Sequence, residues 1–191
     1  MVRAWHIDES KLDENKLELS ENERELVNLE DLKEHTGVLY WKLNADTYNE
    51  DGTLDEIRKC RGYTYADEIE VSSKTLPNFD VMIKKFASEH LHTDEEIRFI
   101  LAGKGYFDVR DANSDDWIRI EVVGGDLIIL PAGIYHRLVL DKDRYIKAKR
   151  FFIGAPVWTA HERGNPITHG LSDEMDSRKA YLAKYKKPVS S

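Results

Sequence analysis

Cysteine is almost absent: Cys60 is the single one in 191 residues. An intramolecular disulfide is therefore impossible, and the chain needs no oxidising compartment. Cys60 itself reads as a half-buried helix residue in preference to a reactive thiol. Long apolar runs are missing too, since no stretch approaches the roughly 20 residues that cross a bilayer. The opening Met1-Val2-Arg3-Ala4-Trp5-His6 runs into acidic residues without an apolar signal core. Positive charge is also in deficit, with 28 Lys and Arg against 36 Asp and Glu, a net charge of −8. No basic run interleaved with aromatics offsets that balance, so neither nucleic acid nor an anionic membrane surface is an expected partner. The expectation is a soluble cytoplasmic chain, small enough for nuclear access as well. No residue pattern speaks to assembly, and a monomer is the default.

What is present is ordinary globular material, 41% hydrophobic and 10% aromatic, in a length that suits one domain. Three stretches differ in texture: 1–88 mixes strands and helices, 89–155 is strand-rich, and 156–191 is a mixed extension. Residues 8–36 are dense in charge, and Leu19, Leu26, Leu29 and Leu32 suggest helical pieces that stop at Gly37. Val38–Leu43 reads as a strand. A short helix over 54–61 follows, with Asp51 or Thr53 as cap and Gly62 as terminator. A second helix is predicted over 77–88, with Pro77 in the first turn and Phe79, Met82, Ile83 and Phe86 on one stripe. Short strand-like runs then cover about 90–93, 96–101, 105–110, 117–122, 126–130, 136–140 and 145–153. Ala102–Gly105, Asp111–Asp116, Gly124–Asp126 and Asp141–Asp143 are read as the turns between them. Many short strands at even spacing indicate a sandwich or barrel. A charged helix is expected within 172–186.

His90-Leu91-His92 opens the strand-rich region. Side chains two apart on a strand point the same way, and Glu96 and Arg98 share that parity. His136 follows the separate turn Leu130-Pro131-Ala132-Gly133-Ile134-Tyr135 and can return to the same face. Three imidazoles and a carboxylate form a mixed site suited to Fe(II), Mn(II), Ni(II) or Zn(II). Four protein ligands on a six-coordinate ion leave two positions for a bidentate substrate. Arg98 points into the same interior, where a guanidinium is costly unless it meets an anion. Either it pairs internally with Glu96 or another acid, or it clamps an anionic substrate. Phe86, Phe107 and Ile100 are candidates for lining the pocket, plain core packing being the other reading. Asp94 and Glu95 read as turn acids, and His6, His35, His161 and His169 match no ligand pattern. Tyr135 either packs against the site or covers the barrel.

His90, His92, Glu96 and Gly103 match the first cupin motif, and Gly125, Pro131, Gly133 and His136 match the second. Lys84 stands where the first motif begins with Gly, and Leu140 where the second ends with Asn; neither is a ligand position. The fold expected is therefore mainly β, a cupin-type β-barrel (jelly-roll) with peripheral α-helices.

Longer strings narrow the resemblance. Glu89-His90-Leu91-His92-Thr93-Asp94-Glu95-Glu96-Ile97-Arg98, Gly105–Asp111, Trp117-Ile118-Arg119 and Gly125–Arg137 closely resemble the acireductone dioxygenase family, as do Gly37–Trp41 and Pro156-Val157-Trp158. The resemblance covers about residues 1–160, and the opening Met1–Trp5 is similar to eukaryotic members. It implies a step of methionine salvage, with an acireductone and dioxygen as substrates and one Fe(II) or Ni(II) per chain. With iron, family members give formate and the keto acid precursor of methionine. With nickel they give formate, carbon monoxide and 3-methylthiopropanoate. By position it assigns the metal to His90, His92, Glu96 and His136, and substrate positioning to Arg98. Two competitors stand beside it: another metal cupin, such as a sugar isomerase or different dioxygenase, and a non-catalytic cupin binding protein.

Overall fold

The computed structural model describes residues 3–8, 24–164 and 171–188. Its N-terminal part holds β1 (Arg3–Ile7), β2 (Leu26–Val27), α1 (Leu29–Thr36), β3 (Leu39–Lys42), α2 (Thr53–Arg61), β4 (Tyr65–Val71) and α3 (Phe79–Phe86). The barrel strands follow: β5 (His90–Leu91), β6 (Glu96–Arg110), β7 (Trp117–Val123), β8 (Asp126–Leu130), β9 (His136–Leu140) and β10 (Ile146–Phe152). A short β11 (His161–Glu162), a 3-10 turn at Ser172–Glu174 and α4 (Asp176–Tyr185) complete the order.

All pairings are antiparallel, and β6 belongs to two sheets at once. Its first half lies between β8 and β10, in the order β4-β10-β6-β8-β3, and its second half lies between β7 and β9 in the order β11-β5-β9-β6-β7-β1-β2. The sequence reading split this strand at Ala102–Gly105; the structure keeps it whole and bends it there. The bend is a β-bulge. Ala148 pairs with Ile100 and Lys147 with Ala102, so Leu101 is the extra residue. Gly103 follows at φ 81°, and a Cβ there would sit 2.3 Å from the Tyr145 carbonyl oxygen. Only glycine fits this corner.

The bulge also switches the inward parity. Before it, Glu96, Arg98 and Ile100 face the interior, while Ile97 and Phe99 pack outward with Leu127, Ile129 and Phe151 against Leu54 of α2 and Tyr63. After it, Phe107 and Val109 are the inward residues, packed with Ile118, Ile120, Val122, Ile128 and Leu130. Both faces of β6 are buried, at about 1.5–3 kcal/mol for each large apolar side chain. A one-residue slip would move every one of them to the wrong face.

The helices are set by their ends. Asn28 caps α1, its side-chain oxygen accepting from the Glu30 and Asp31 amides at 3.0 and 2.9 Å, and Gly37 ends it at φ 74°. Leu26 is not helical as expected but exposed on β2, where it pairs with Trp5; Leu19 lies outside the described residues. The cap position of α2 is Gly52 and neither Asp51 nor Thr53, although Asp51 accepts from the Thr53 amide at 2.9 Å. Cys60 on α2 is exposed, not half-buried. The helix expected over 77–88 is trimmed to 79–86, because Asn78 adopts the left-handed conformation at φ 54°. β4 was not anticipated. Its alternation, Tyr-Ala-Asp-Glu-Ile-Glu-Val, is diluted by acids that pair with Arg150 and Lys149 of β10. No described helix is long and apolar enough to cross a membrane.

Candidate metal centre

β5 and β9 pair through one register position, His90 opposite His136. His92 lies just past the end of β5, and Glu96 is the first residue of β6, beside β8. Three chain segments thus deliver His90, His92, Glu96 and His136 to one end of the barrel. One ligand atom from each lies within 4.8 Å of all the others.

The imidazoles are oriented by main-chain carbonyls. Nδ1 of His90 donates to Ser88 O at 2.7 Å, Nδ1 of His92 to Thr159 O at 2.6 Å, and Nδ1 of His136 to Ile134 O at 3.0 Å. A carbonyl oxygen only accepts, so each Nδ1 carries a proton, and in the neutral ring that metal binding requires each Nε2 turns a lone pair inward. Those lone pairs meet a carboxylate: Glu96 Oε2 is 3.2 Å from His92 Nε2 and 3.4 Å from His136 Nε2. Among the described residues, buried His136 Nε2 has no hydrogen-bond partner. Burial, with the neighbouring His136, pushes His90 down to about 3, which keeps it a neutral donor. Burial would raise the Glu96 carboxyl, but the Arg98 guanidinium beside it leads the contacts that hold it well below the usual range. Convergent lone pairs around a buried carboxylate repel one another unless a cation lies between them. This donor set, three nitrogens and one oxygen, fits a borderline divalent transition metal.

The cluster forms one wall of a cavity of about 320 Å³. Phe86, Phe107 and Ile100 all line it, as does Arg98. The Arg98 guanidinium lies 3.3 Å from Glu96 Oε1 and donates to Ile97 O at 3.0 Å. The internal pairing and the inward aim are thus both present in one side chain.

Besides the carbonyls of Ser88, Ile134 and Thr159, four side chains at or behind the cavity wall have no role in the sequence reading. Arg150 of β10 faces Arg98 of β6 in register and also lines the cavity. Asp67 of β4 holds it with two bonds of 2.8 and 2.6 Å, and the Trp158 ring lies 3.7 Å from its guanidinium carbon. Parity along the 145–153 run could have placed Arg150 inward by the argument used for Arg98. The fourth is Lys85 of α3, which lines the cavity and is exposed.

Other candidates lie elsewhere. Glu95 turns away to Tyr63, whose hydroxyl donates to it at 2.6 Å, and to Arg61. Asp94 receives the Thr93 hydroxyl at 3.4 Å and is not part of the cluster. His35 is bonded to Asp111 at 2.9 Å, His6 sits on β1 and His161 on β11, all outside the cluster, and His169 lies outside the described residues. Tyr135 is fully buried, its hydroxyl meeting Ser172 at 2.6 Å and Asp173 at 2.9 Å, so it anchors the C-terminal segment and does not touch the cluster.

Comparison with known proteins agrees with this geometry. The model of the ARD/ARD' family matches residues 3–160. An acireductone dioxygenase of Ixodes scapularis is 53% identical over 182 residues, 95% of each chain. One from Drosophila melanogaster is also 53% identical, over 95% of this chain and 93% of its own. Among solved structures, an acireductone dioxygenase from Bacillus anthracis with a cadmium ion in its active centre superposes with a TM-score of 0.63 at 27% identity, covering 72% of this chain and 92% of that one. Motif, barrel, donor geometry and full-length similarity lead to one conclusion: the chain belongs to the ARD/ARD' family, that of the acireductone dioxygenases.

Proposed function

We propose that this protein is a metal-dependent acireductone dioxygenase of methionine salvage whose ion is held by His90, His92, Glu96 and His136, with Arg98 positioning the substrate. The iron form cleaves 1,2-dihydroxy-5-(methylthio)pent-1-en-3-one with dioxygen to formate and 4-methylthio-2-oxobutanoate. The nickel form gives formate, carbon monoxide and 3-methylthiopropanoate. The observation that carries this reading is the convergence of three inward Nε2 atoms and one carboxylate beside a buried arginine, in a cavity large enough for a small molecule.

When bound, the ion supplies a Lewis-acid template that activates an enediolate toward dioxygen. The chain does the rest. Ser88, Ile134 and Thr159 hold the three imidazoles by their Nδ1 protons, fixing which nitrogen faces inward. Arg98 offers a charge-assisted bond to the anionic substrate oxygens while its other contacts fix its direction. Phe86, Phe107 and Ile100 exclude water from the reacting end and hold the substrate in one orientation.

Three further expectations belong to the same reading. The segments 1–88, 89–155 and 156–191 act as one unit, because β1, β3 and β4 pair with β7, β8 and β10 while α4 packs on α1. The protein works as a monomer in the cytoplasm with access to the nucleus, which sizing chromatography and cell fractionation test. Its net charge of −8 argues against a nucleic-acid partner.

The deciding experiment is anaerobic reconstitution with one equivalent of Fe(II) or Ni(II), followed by product analysis with acireductone and dioxygen. Formate with keto acid from iron, and carbon monoxide from nickel, is the expected result. Bound metal without oxygen consumption would discard the dioxygenase reading and favour a cupin isomerase or binding protein.

A further inference from the structure

The cavity presents four formally charged side chains: Glu96, Arg98, Arg150 and Lys85. Three are engaged with one another or with a neighbour. Glu96 belongs to the ligand cluster, Arg98 lies 3.3 Å from it, and Arg150 is held by both oxygens of Asp67. Lys85 stands apart. Among the described residues no carboxylate lies within ion-pair distance of its ammonium, and it is exposed where the others are buried or half-buried. It comes from the last turn of α3, on the face that also contributes Met82 and Phe86 to the cavity wall. An exposed residue that also lines a cavity sits at the cavity's opening.

From this arrangement we infer that Lys85 is the capture cation of the site: it draws the anionic enediolate to the cavity mouth before Arg98 receives it. The inference rests on the proposed substrate and adds a residue that acts on arrival and not on chemistry. Its physical need comes from the whole chain. A net charge of −8 repels an anion at long range. The two guanidinium groups deeper in the cavity each face a carboxylate, Glu96 or Asp67, and a bound divalent ion adds its attraction only at the far end. One ammonium at the rim without a carboxylate partner adds a positive field along the final approach.

The alternative is that Lys85 only complements the C-terminal end of α3, where a cation is favourable through the aligned peptide dipoles. The molecule contains its own control. Lys84 lies in the same turn with the same charge and does not line the cavity. A dipole role is shared by both lysines; a capture role belongs to Lys85 alone.

The test uses full-length, metal-loaded protein, mixed anaerobically with acireductone and followed by tryptophan fluorescence, since Trp158 lines the cavity. Association rates are compared for wild type, Lys85→Gln, Lys85→Arg and Lys84→Gln over a range of salt. Steady-state oxygen consumption is measured in parallel. Lys85→Gln is expected to slow association and lower kcat/KM by about three- to tenfold at low salt, with kcat unchanged. The difference should vanish near 1 M salt, where the Debye length is about 3 Å. Lys85→Arg should restore the rate, and Lys84→Gln should behave as wild type. Equal behaviour of the two glutamine variants, a deficit that persists in high salt, or a fall in kcat would overturn the assignment. Association is read without turnover, so a wild-type protein that binds but consumes no oxygen would sink the dioxygenase reading while still deciding the role of Lys85.

Discussion

His90 and His136 are direct partners across the β5–β9 pair, their ring centroids 4.5 Å apart and both Nδ1 protons spent on main-chain carbonyls. Both rings thus aim Nε2 into the cluster, where a bound cation would offset the crowding of their lone pairs. Removing the ion with a chelator should therefore lower Tm, by an amount that grows with metal concentration over Kd; at a hundredfold excess linkage gives about 2.7 kcal/mol. Calorimetry of the chelated and reloaded protein checks this. An unchanged Tm would mean that the four side chains hold no ion.

Arg98→Ala should lower kcat/KM by about 30- to 150-fold, the equivalent of about 2–3 kcal/mol for one charged hydrogen bond. Metal content, measured by emission spectrometry, should stay near one per chain. Loss of the metal along with the activity would instead assign Arg98 to the support of Glu96.

Gly103→Ala should destabilise the fold by about 2–4 kcal/mol, because it meets both a left-handed backbone and the Tyr145 carbonyl. The corner of β6 would have to open for the methyl group to fit. Urea unfolding measures the loss, and a change below about 0.5 kcal/mol would mean the bend relaxes freely.

Glu89 predicts a pH effect. Burial would raise its carboxyl, but the bonds from Arg110 and Arg163 outweigh that and hold it below the ordinary 4.5. Its folded value is thus lower than its unfolded one. The stabilisation is complete above about pH 4.5 and is lost as pH falls through the folded value. Glu89→Gln should flatten the acid limb of a Tm-against-pH curve and lower Tm at neutral pH. A parallel acid limb in the variant would count against the pairing.

Asp108 is fully buried and takes bonds from Arg119 at 2.7 and 2.8 Å and from Arg137 at 2.9 Å. On β6 it points away from the cavity, opposite Phe107. Asp108→Asn strands two guanidinium groups short of their counter-ion and should cost about 3–5 kcal/mol in chemical denaturation. Product identity should be unaffected, because Asp108 does not line the cavity.

The metal cluster was legible because ligand spacing is local: His92 follows His90 by two residues, just past the end of β5, and the Pro131–Gly133 turn announces His136. The barrel was legible from its short strands and turn residues. Other features were not written locally. Ala102–Gly105 has the composition of a turn, yet the β10 and β7 partners on either side hold it extended, so β6 continues through a bulge. Tyr65–Val71 did not stand out as a strand because its acids are neutralised only by residues of β10, some 80 positions away. Leu26 resembled part of a helical stripe until the tertiary pairing with Trp5 claimed it. Lys85 reaches the cavity only through the packing of α3. Thr159 acts on His92 through its carbonyl oxygen, which every residue type possesses, so no letter of the sequence could have marked it.

Aiming by main-chain atoms shapes how this site can change over time. All three imidazoles are aimed by main-chain oxygens at positions 88, 134 and 159, and no codon change at those positions deletes a carbonyl. The aiming of the ligands is thereby shielded from most drift in the segments that perform it. Inheritance can rewrite the side chains around the barrel mouth, retuning which molecules enter, while the orientation of the metal's nitrogen donors stays as it was.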